Sequence, residues 1–100
     1  MTWPRPLRTL AVPVSSESTV AMPEGVALHA RPAATFVKTA LRFRSKVTVG
    51  LNGRVADAKS ILAVLALGAV GGTVLRLSAE GEDAPDALAA LTSCVSGLVD

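Results

Sequence analysis

The stretch Leu28–Ala34 reads Leu-His-Ala-Arg-Pro-Ala-Ala and holds the only histidine of the chain. Pro32 suits the first turn of a helix, where its missing N–H is not needed. The apolar residues that follow recur at helical spacing, at Ala33, Phe36, Val37, Ala40 and Leu41. We therefore predict a helix from about Ala30 to Arg42, with His29 just before its N-terminus.

The position of His29 allows two interpretations. The unpaired N–H groups and the positive dipole end of a helix N-terminus attract anions, and Arg31 stands two residues away. That combination indicates chemistry on a phosphate group. Position alone favours a simpler role, a solvated polar residue or a helix cap. No pair of carboxylates lies near His29 in the sequence, which argues against a hydrolase.

The composition limits the class of protein. One hundred residues make one domain, and with half of them hydrophobic but only three aromatic the core must be aliphatic. A net charge of +2 is too small by itself to indicate a nucleic-acid partner. Basic residues crowd the first half of the chain and acidic residues the second. One basic face could therefore meet an acidic partner.

The chain has a single cysteine, Cys94, and a single histidine. An internal disulfide is excluded, and the composition suits a reducing cytoplasm. We expect neither a zinc site nor any other metal or cofactor. No apolar run is long enough to cross a membrane. Residues 1–16 carry three prolines and no acid, and the run Leu10–Val14 is too short for a signal peptide. We expect this segment to be a disordered extension, or the product of a start codon assigned too far upstream, ahead of a domain spanning residues 17–100.

The sequence predicts three strands between residues 17 and 57. Glu17–Ala21 is closed by the turn residues Pro23–Gly25, and Lys46–Leu51 alternates polar with apolar residues. Asn52-Gly53 is a strong signal for a two-residue hairpin turn. Arg54–Asp57 should therefore pair back on the preceding strand.

A short helix is predicted between Ser60 and Gly68, because serine is a good N-cap and glycine a good C-terminal residue. The helix is apolar nearly all round. Either it is fully buried, or it leaves an exposed apolar patch for a partner, formed by Ile61, Leu62 and Leu65.

A fourth strand, Thr73–Ala79, and a polar loop, Glu80–Asp83, precede a last helix that opens near Pro85. The apolar stripe of this helix comprises Ala84, Leu88, Leu91, Val95 and Leu98. The order is β-α-β-β-α-β-α. A right-handed crossover between the first two strands leaves a gap that the fourth can fill antiparallel to both. The sequence thus predicts an α+β fold, a four-stranded antiparallel sheet with helices on one face.

Several of these motifs resemble one family. Residues 28–33 resemble the active-site signature of HPr, the histidine-containing phosphocarriers of the bacterial phosphoenolpyruvate-dependent sugar phosphotransferase system. Asn52-Gly53, Ala58–Leu62 and Leu67-Gly68 resemble its second signature, and Ser78–Gly81 resembles its fourth strand and the loop after it. The resemblance covers roughly residues 17–99. It implies an open-faced β-sandwich with three helices on one side of the sheet.

The resemblance also implies roles for particular residues. His29 would be phosphorylated at Nδ1 by the upstream phosphoenolpyruvate-protein phosphotransferase and would pass the phosphoryl group to sugar-specific acceptor domains. Arg31 would steady the phosphate, and Ser60 would be a regulatory site for a serine kinase/phosphorylase. The docking residues would be Ala30, Ala34, Ile61, Leu62 and Leu65.

The chain departs from the family pattern just before His29. The family has glycine ahead of the Leu-His pair, where this chain has Ala27, with Gly25 two residues earlier. Either Ala27 replaces the glycine, or Val26-Ala27 is a two-residue insertion. We prefer the insertion, because it aligns Pro23-Glu24-Gly25 better with the family pattern. It changes the loop behind the proposed site and leaves the identity of His29 intact.

Two other functions stay open at this point. One is a carrier of a nitrogen-related or dihydroxyacetone-linked phosphotransferase chain, with the same chemistry and different partners. The other is a small-molecule-binding domain of related topology, which would not explain a histidine at the start of the helix. A true enzyme is disfavoured because nothing in the sequence orients a general base. We expect a cytoplasmic monomer with no nucleic-acid partner and no membrane insertion.

Overall fold

The computed structural model describes residues 15–99. Its strands are β1 (Ser15–Ala21), β2 (Lys46–Leu51), β3 (Arg54–Asp57) and β4 (Val74–Glu80). Its helices are α1 (Ala30–Leu41), α2 (Ile61–Leu67) and α3 (Ala84–Ser96). The strands form one sheet in the order β1-β4-β2-β3, with every neighbouring pair antiparallel. The predicted α+β fold and the place of β4 between the first two strands are confirmed.

Burial alternates along the two central strands. Val47 and Val49 of β2 are fully buried, as are Leu75 and Leu77 of β4, whereas Arg76 between the latter is exposed. Successive side chains of a strand point to opposite faces, so one face of the sheet carries the core and the other meets water. Helix α3 packs on β1, β2 and β4, α2 packs on β2 and β3, and α1 lies against α2 and α3. The core is mainly aliphatic, as expected, with Phe36 as its one fully buried aromatic residue among those described.

The β2–β3 connection has the geometry that Asn-Gly predicts. Asn52 has a φ of 52° and Gly53 a φ of 80°. Both central residues are therefore in the left-handed region that a type I′ turn needs. This turn fixes the register in which Leu51 faces Arg54.

The first strand begins two residues earlier than the sequence indicates. Ser15 pairs with Glu80 and Ser16 with Ala79, so both serines belong to the sheet and not to an extension. Glu80, expected in a loop, is likewise the last residue of β4. The ends of these strands are set by backbone pairing with a neighbouring strand. The strand propensity of the residues themselves does not predict that pairing. The rest of the predicted extension, residues 1–14, lies outside the described residues.

Asp83 ties the start of α3 to the loop between α1 and β2. Its carboxylate accepts hydrogen bonds from the backbone N–H groups of Arg44 and Ser45, each at 2.9 Å, and from the Ser45 hydroxyl. The Ser45 hydroxyl, together with these N–H donors, lowers the pKa of Asp83 below its ordinary value. Ser45 is the one buried polar residue in the described part of the chain.

This clamp makes the stability of the fold depend on pH. A carboxyl group whose pKa is lowered by folding stabilises the fold above its unfolded pKa of about 4 and loses that contribution as pH falls through the folded pKa. We expect Asp83→Asn to lower the free energy of unfolding most at pH 7, with the gap from wild type closing below about pH 4. Urea denaturation across this pH range measures it. Asp86→Asn, which removes an exposed charge in the same helical turn, is the control. A gap that stayed constant with pH would contradict the role of the carboxylate.

Candidate functional site

His29 occupies the N-cap of α1. Its φ of −89° and ψ of −166° are extended, and its carbonyl accepts the first helical hydrogen bond, from Ala33 N–H at 2.8 Å. The side chain is exposed and accepts no N–H of the helix end. His29 is thus the N-cap residue of α1, but its side chain makes no capping hydrogen bond. The imidazole is therefore exposed and does not cap the helix.

The helix end beside His29 offers a small set of unpaired donors. The His29 N–H is bonded to the Ala27 carbonyl at 2.8 Å, and Pro32 has no N–H. The remaining orphan donors of the first turn are the N–H groups of Ala30 and Arg31. Both residues are exposed. Two backbone N–H groups at the positive end of the helix dipole form a modest anion site.

Arg31 adds a charged group next to these donors. It lines an open groove of about 490 Å³ between α1 and the C-terminal end of α3. The other residues at the α1 side of this groove are Pro32, Thr35, Thr39 and Arg42. His29 itself is not among the residues that line this groove. His29 and Arg31 both lie at the N-terminal end of α1, two positions apart in the sequence.

Helix α2 is amphipathic and not fully buried. Val64 and Leu67 face the core, whereas Ile61, Leu62 and Leu65 are 38%, 76% and 37% exposed. Of the two alternatives for this helix, the exposed patch is the one observed. These three residues form what we call the α2 patch. An exposed apolar surface of this kind is typical of interaction sites.

Ser60 lies at the far end of α2 from His29. Its Oγ accepts a hydrogen bond from Ala63 N–H at 3.2 Å, and Gly68 ends the helix in the left-handed region with a φ of 69°. Both predicted caps are confirmed. The Leu28 N–H donates to the Ala69 carbonyl just beyond α2. His29 is thus next to the C-terminal end of a helix about 10 Å long, and Ser60 is at its other end.

One side of α1 carries further exposed apolar residues. Ala30 is exposed and Ala34 half-buried, and both share this side with Leu41. The sequence pattern places Leu41 in the apolar stripe, but its side chain is 58% exposed. The stripe drifts around a helix of 3.6 residues per turn, so its last member leaves the core. Leu41 is an apolar surface residue that sequence reasoning missed.

Two basic side chains make long-range hydrogen bonds at the two ends of α2. Arg54 donates through Nη2 to the Ala66 carbonyl at 2.7 Å, and Lys59 donates through Nζ to the Phe43 carbonyl at 2.7 Å. The first satisfies a carbonyl at the C-terminal end of the helix, where a positive charge is also favourable. Neither contact has a sequence signal, because each joins residues more than ten positions apart.

The segment that departs from the family pattern is well packed. Gly25 has a φ of 79°, Val26 N–H donates to the Pro23 carbonyl at 3.2 Å, and the Val26 and Leu28 side chains are buried. Ala27 is half-buried and its carbonyl accepts the His29 N–H. The segment before His29 is therefore anchored by buried side chains on both sides of Ala27.

Between residues 15 and 99, no three histidine, cysteine, aspartate or glutamate side chains are grouped so that they could hold a metal ion. None of the helices over the same residues has the length and apolar character needed to cross a membrane.

Comparison with known proteins adds the family. A family model described as "PTS HPr component phosphorylation site" matches residues 14–96. Over 71 residues the chain is 46% identical to the phosphocarrier protein HPr of Vibrio cholerae serotype O1 (strain ATCC 39315 / El Tor Inaba N16961) and 42% identical to that of Buchnera aphidicola subsp. Acyrthosiphon pisum (strain APS). Each alignment covers 71% of this chain and 84% of the relative. The crystal structure of HPr-C-His from Thermoanaerobacter tengcongensis superposes with a TM-score of 0.78 and 41% identity, covering 81% of this chain and 91% of that one.

The family-model match spans every strand and helix of the fold and includes both motifs, around His29 and around Ser60. These likenesses set aside the small-molecule-binding alternative. The chain therefore belongs to the HPr family, the phosphoryl carriers of the phosphotransferase system.

Proposed function

We propose that this chain carries its phosphoryl group on His29. It would receive the group from a phosphoenolpyruvate-protein phosphotransferase and deliver it to sugar-specific acceptor domains in the cytoplasm. The observation that carries the proposal is the exposed ring of His29 beside the two unpaired N–H groups of Ala30 and Arg31. By family the chain is a phosphocarrier of the phosphotransferase system.

The chemistry requires little of the protein. An unprotonated ring nitrogen of His29, Nδ1 by resemblance, attacks phosphorus as the bond from phosphorus to the donor breaks. The negative charge on the transferring oxygens is met by preorganised N–H donors and the Arg31 guanidinium. The second transfer reverses these roles, with His29 as the leaving group. No proton-transfer residue is needed beside the ring.

A phosphocarrier must stabilise its phosphoryl group to an intermediate degree. A phosphoryl group on imidazole is reactive, so the site has to retain it between partners without making transfer to the next one unfavourable. Two backbone donors and one arginine offer limited charge-assisted stabilisation. A site with several arginines would bind the phosphate more tightly and slow the second step.

The surface around His29 supports docking to an acidic partner with an apolar centre. The α2 patch and Leu41 provide exposed apolar area, and Arg31, Lys38 and Arg42 are exposed on the neighbouring side of α1. Complementary charge accelerates the encounter of such partners. We propose that Ala30, Ala34 and the α2 patch contact both the donor and the acceptors.

The proposal is tested by incubating the chain with phosphoenolpyruvate and the phosphotransferase enzyme. Peptide mapping by mass spectrometry should find one acid-labile phosphate, on the peptide with His29. Acceptor domains from sugar-specific, nitrogen-related and dihydroxyacetone-linked systems, offered separately, should show transfer to the sugar-specific ones. Phosphate on any other residue, or none, would contradict the proposal, and transfer to another class alone would reassign the partners.

Arg31→Ala should slow phosphorylation of His29 by roughly 10- to 100-fold, because a hydrogen bond to a charged group contributes about 1.5–3 kcal/mol. Stability should hardly change, since the phosphate that it binds is present only after transfer. Arg31→Lys should recover part of the rate, because lysine lacks the planar fork. Rapid-quench measurement of the transfer rate checks this.

Arg42→Ala is the matched control for Arg31→Ala. It removes an exposed arginine from the same helix and the same groove, about 16 Å further along. Its transfer rate at saturating partner should stay near wild type. Equal losses in the two variants would mean that Arg31 acts only through general surface charge.

A further inference from the structure

Two turns meet behind the proposed phosphoryl site. One is the turn at Pro23–Gly25 that leads into α1, and the other is the loop around Gly71 that follows α2. A Cβ atom added at Gly71 would lie 2.7 Å from the Gly25 nitrogen and 3.0 Å from the Pro23 carbonyl oxygen. Both are backbone atoms, which cannot swing aside as a side chain can. The two turns therefore touch at a distance that only glycine permits.

Conformation does not explain the glycine at this position. Gly71 is absent from the residues of positive φ, whereas its neighbour Gly72 has a φ of 81°. The atom nearest to a Cβ at Gly72 would be Oε2 of the Glu24 side chain, at 2.9 Å, which is free to move. The two adjacent glycines thus serve different purposes. Gly72 permits a left-handed turn, and Gly71 permits a close approach.

The segment between this contact and His29 is held in place by hydrogen bonds and by buried side chains. Leu28 N–H is bonded to the Ala69 carbonyl at 2.9 Å, and His29 N–H to the Ala27 carbonyl at 2.8 Å. Val26 and Leu28 are anchored in the core. A displacement of the Gly25 turn is therefore passed on to the residues that carry His29.

We propose that Gly71 is a positioning residue for phosphoryl transfer, setting the place of His29 through backbone contact with the Pro23–Gly25 turn. The inference rests on the proposed function of His29. The contact is made to the turn just before Val26-Ala27, where the chain departs from the family pattern. The close approach at Gly71 allows this turn to pack without shifting the imidazole.

The test compares Gly71→Ala with Gly72→Ala. Gly71→Ala inserts a methyl group into the contact, and a displacement of the order of 1 Å at a reacting group can cost up to about 100-fold in rate. We expect the saturating rate of His29 phosphorylation to fall about 10-fold or more. The donor-enzyme concentration for half-maximal rate should not change, because the α2 patch is untouched. The hydrolysis rate of the isolated phosphohistidine should also differ from wild type.

Gly72→Ala strains φ in the same loop without a backbone collision, and Gly53→Ala does so in the distant hairpin. Both should melt at lower temperature and keep the wild-type saturating rate and phosphohistidine lifetime. If rate losses followed melting temperature across the three variants, or if Gly71→Ala matched wild type, the positioning role would be overturned. Failure of wild type itself to be phosphorylated on His29 would instead overturn the proposed function.

Should Gly71→Ala fail to fold, the wild-type protein decides the question. Phosphorylation of His29 should then shift the backbone amide resonances of Gly25 and Gly71 together with those of Ala30 and Arg31. Shifts confined to residues 29–34 would overturn the inference, because the turn contact would then not respond to the site.

Discussion

His29→Ala is expected to abolish acid-labile phosphorylation completely. The variant keeps the helix end and its two donors but removes the only imidazole in the chain, so no other histidine can take over. Stability should stay within about 0.5 kcal/mol of wild type, because the side chain is exposed and makes no capping bond. Mass spectrometry after incubation with phosphoenolpyruvate and the donor enzyme, with thermal melting alongside, measures both effects.

The control for this experiment is a variant that alters the same surface without touching the ring. Leu62→Ala removes the most exposed residue of the α2 patch and should weaken docking while still giving acid-labile phosphate at high donor concentration. Acid-labile phosphate on His29→Ala would refute the assignment of the acceptor atom. A large loss of stability would show that the histidine serves the fold.

Ser60→Asp should slow phosphorylation of His29 about tenfold while the fold persists. Aspartate is as good an N-cap as serine, and a negative charge is favourable at a helix N-terminus. The added charge stands beside Ile61 and Leu62, where an acidic partner has to approach. Serine phosphorylation would add about two charges and act more strongly in the same direction. The effect lies in docking, because Ser60 is a helix length away from His29.

Ser60→Ala separates the two roles of this side chain. It loses the hydrogen bond from Ala63 N–H and about 1 kcal/mol of stability, and it should retain the wild-type transfer rate. The rates of wild type and both variants are compared at matched concentrations. If the aspartate variant were as fast as wild type and the alanine variant slow, the docking role of α2 would be wrong.

Features with a local signal were predictable from the sequence. Pro32 and the apolar spacing after it place α1, Ser60 and Gly68 place both ends of α2, and Asn52-Gly53 places the hairpin. Each depends on residues within one or two turns of chain. The position of His29 at a helix end follows from the same local rules, which is why the candidate site could be located before the fold was known.

Features that join distant parts of the chain were not predictable. The Asp83 clamp on Ser45 spans 38 positions, and Lys59 reaches back 16 positions to Phe43. Gly71 reads in the sequence as an ordinary turn residue, and its contact with Gly25 depends on two loops 46 positions apart. Neither hydrophobic periodicity nor residue propensity predicts contacts between residues so far apart in the chain.

The way α2 is held has an evolutionary consequence. Its termini are secured by Ser60, Gly68 and the Arg54 side chain, and its inner side by Val64 and Leu67. The caps and the inner side of the helix therefore do not depend on its most exposed position, Leu62. In a gene duplicate, a substitution at Leu62 would alter the surface that we propose for docking and leave both caps and the buried side of α2 intact.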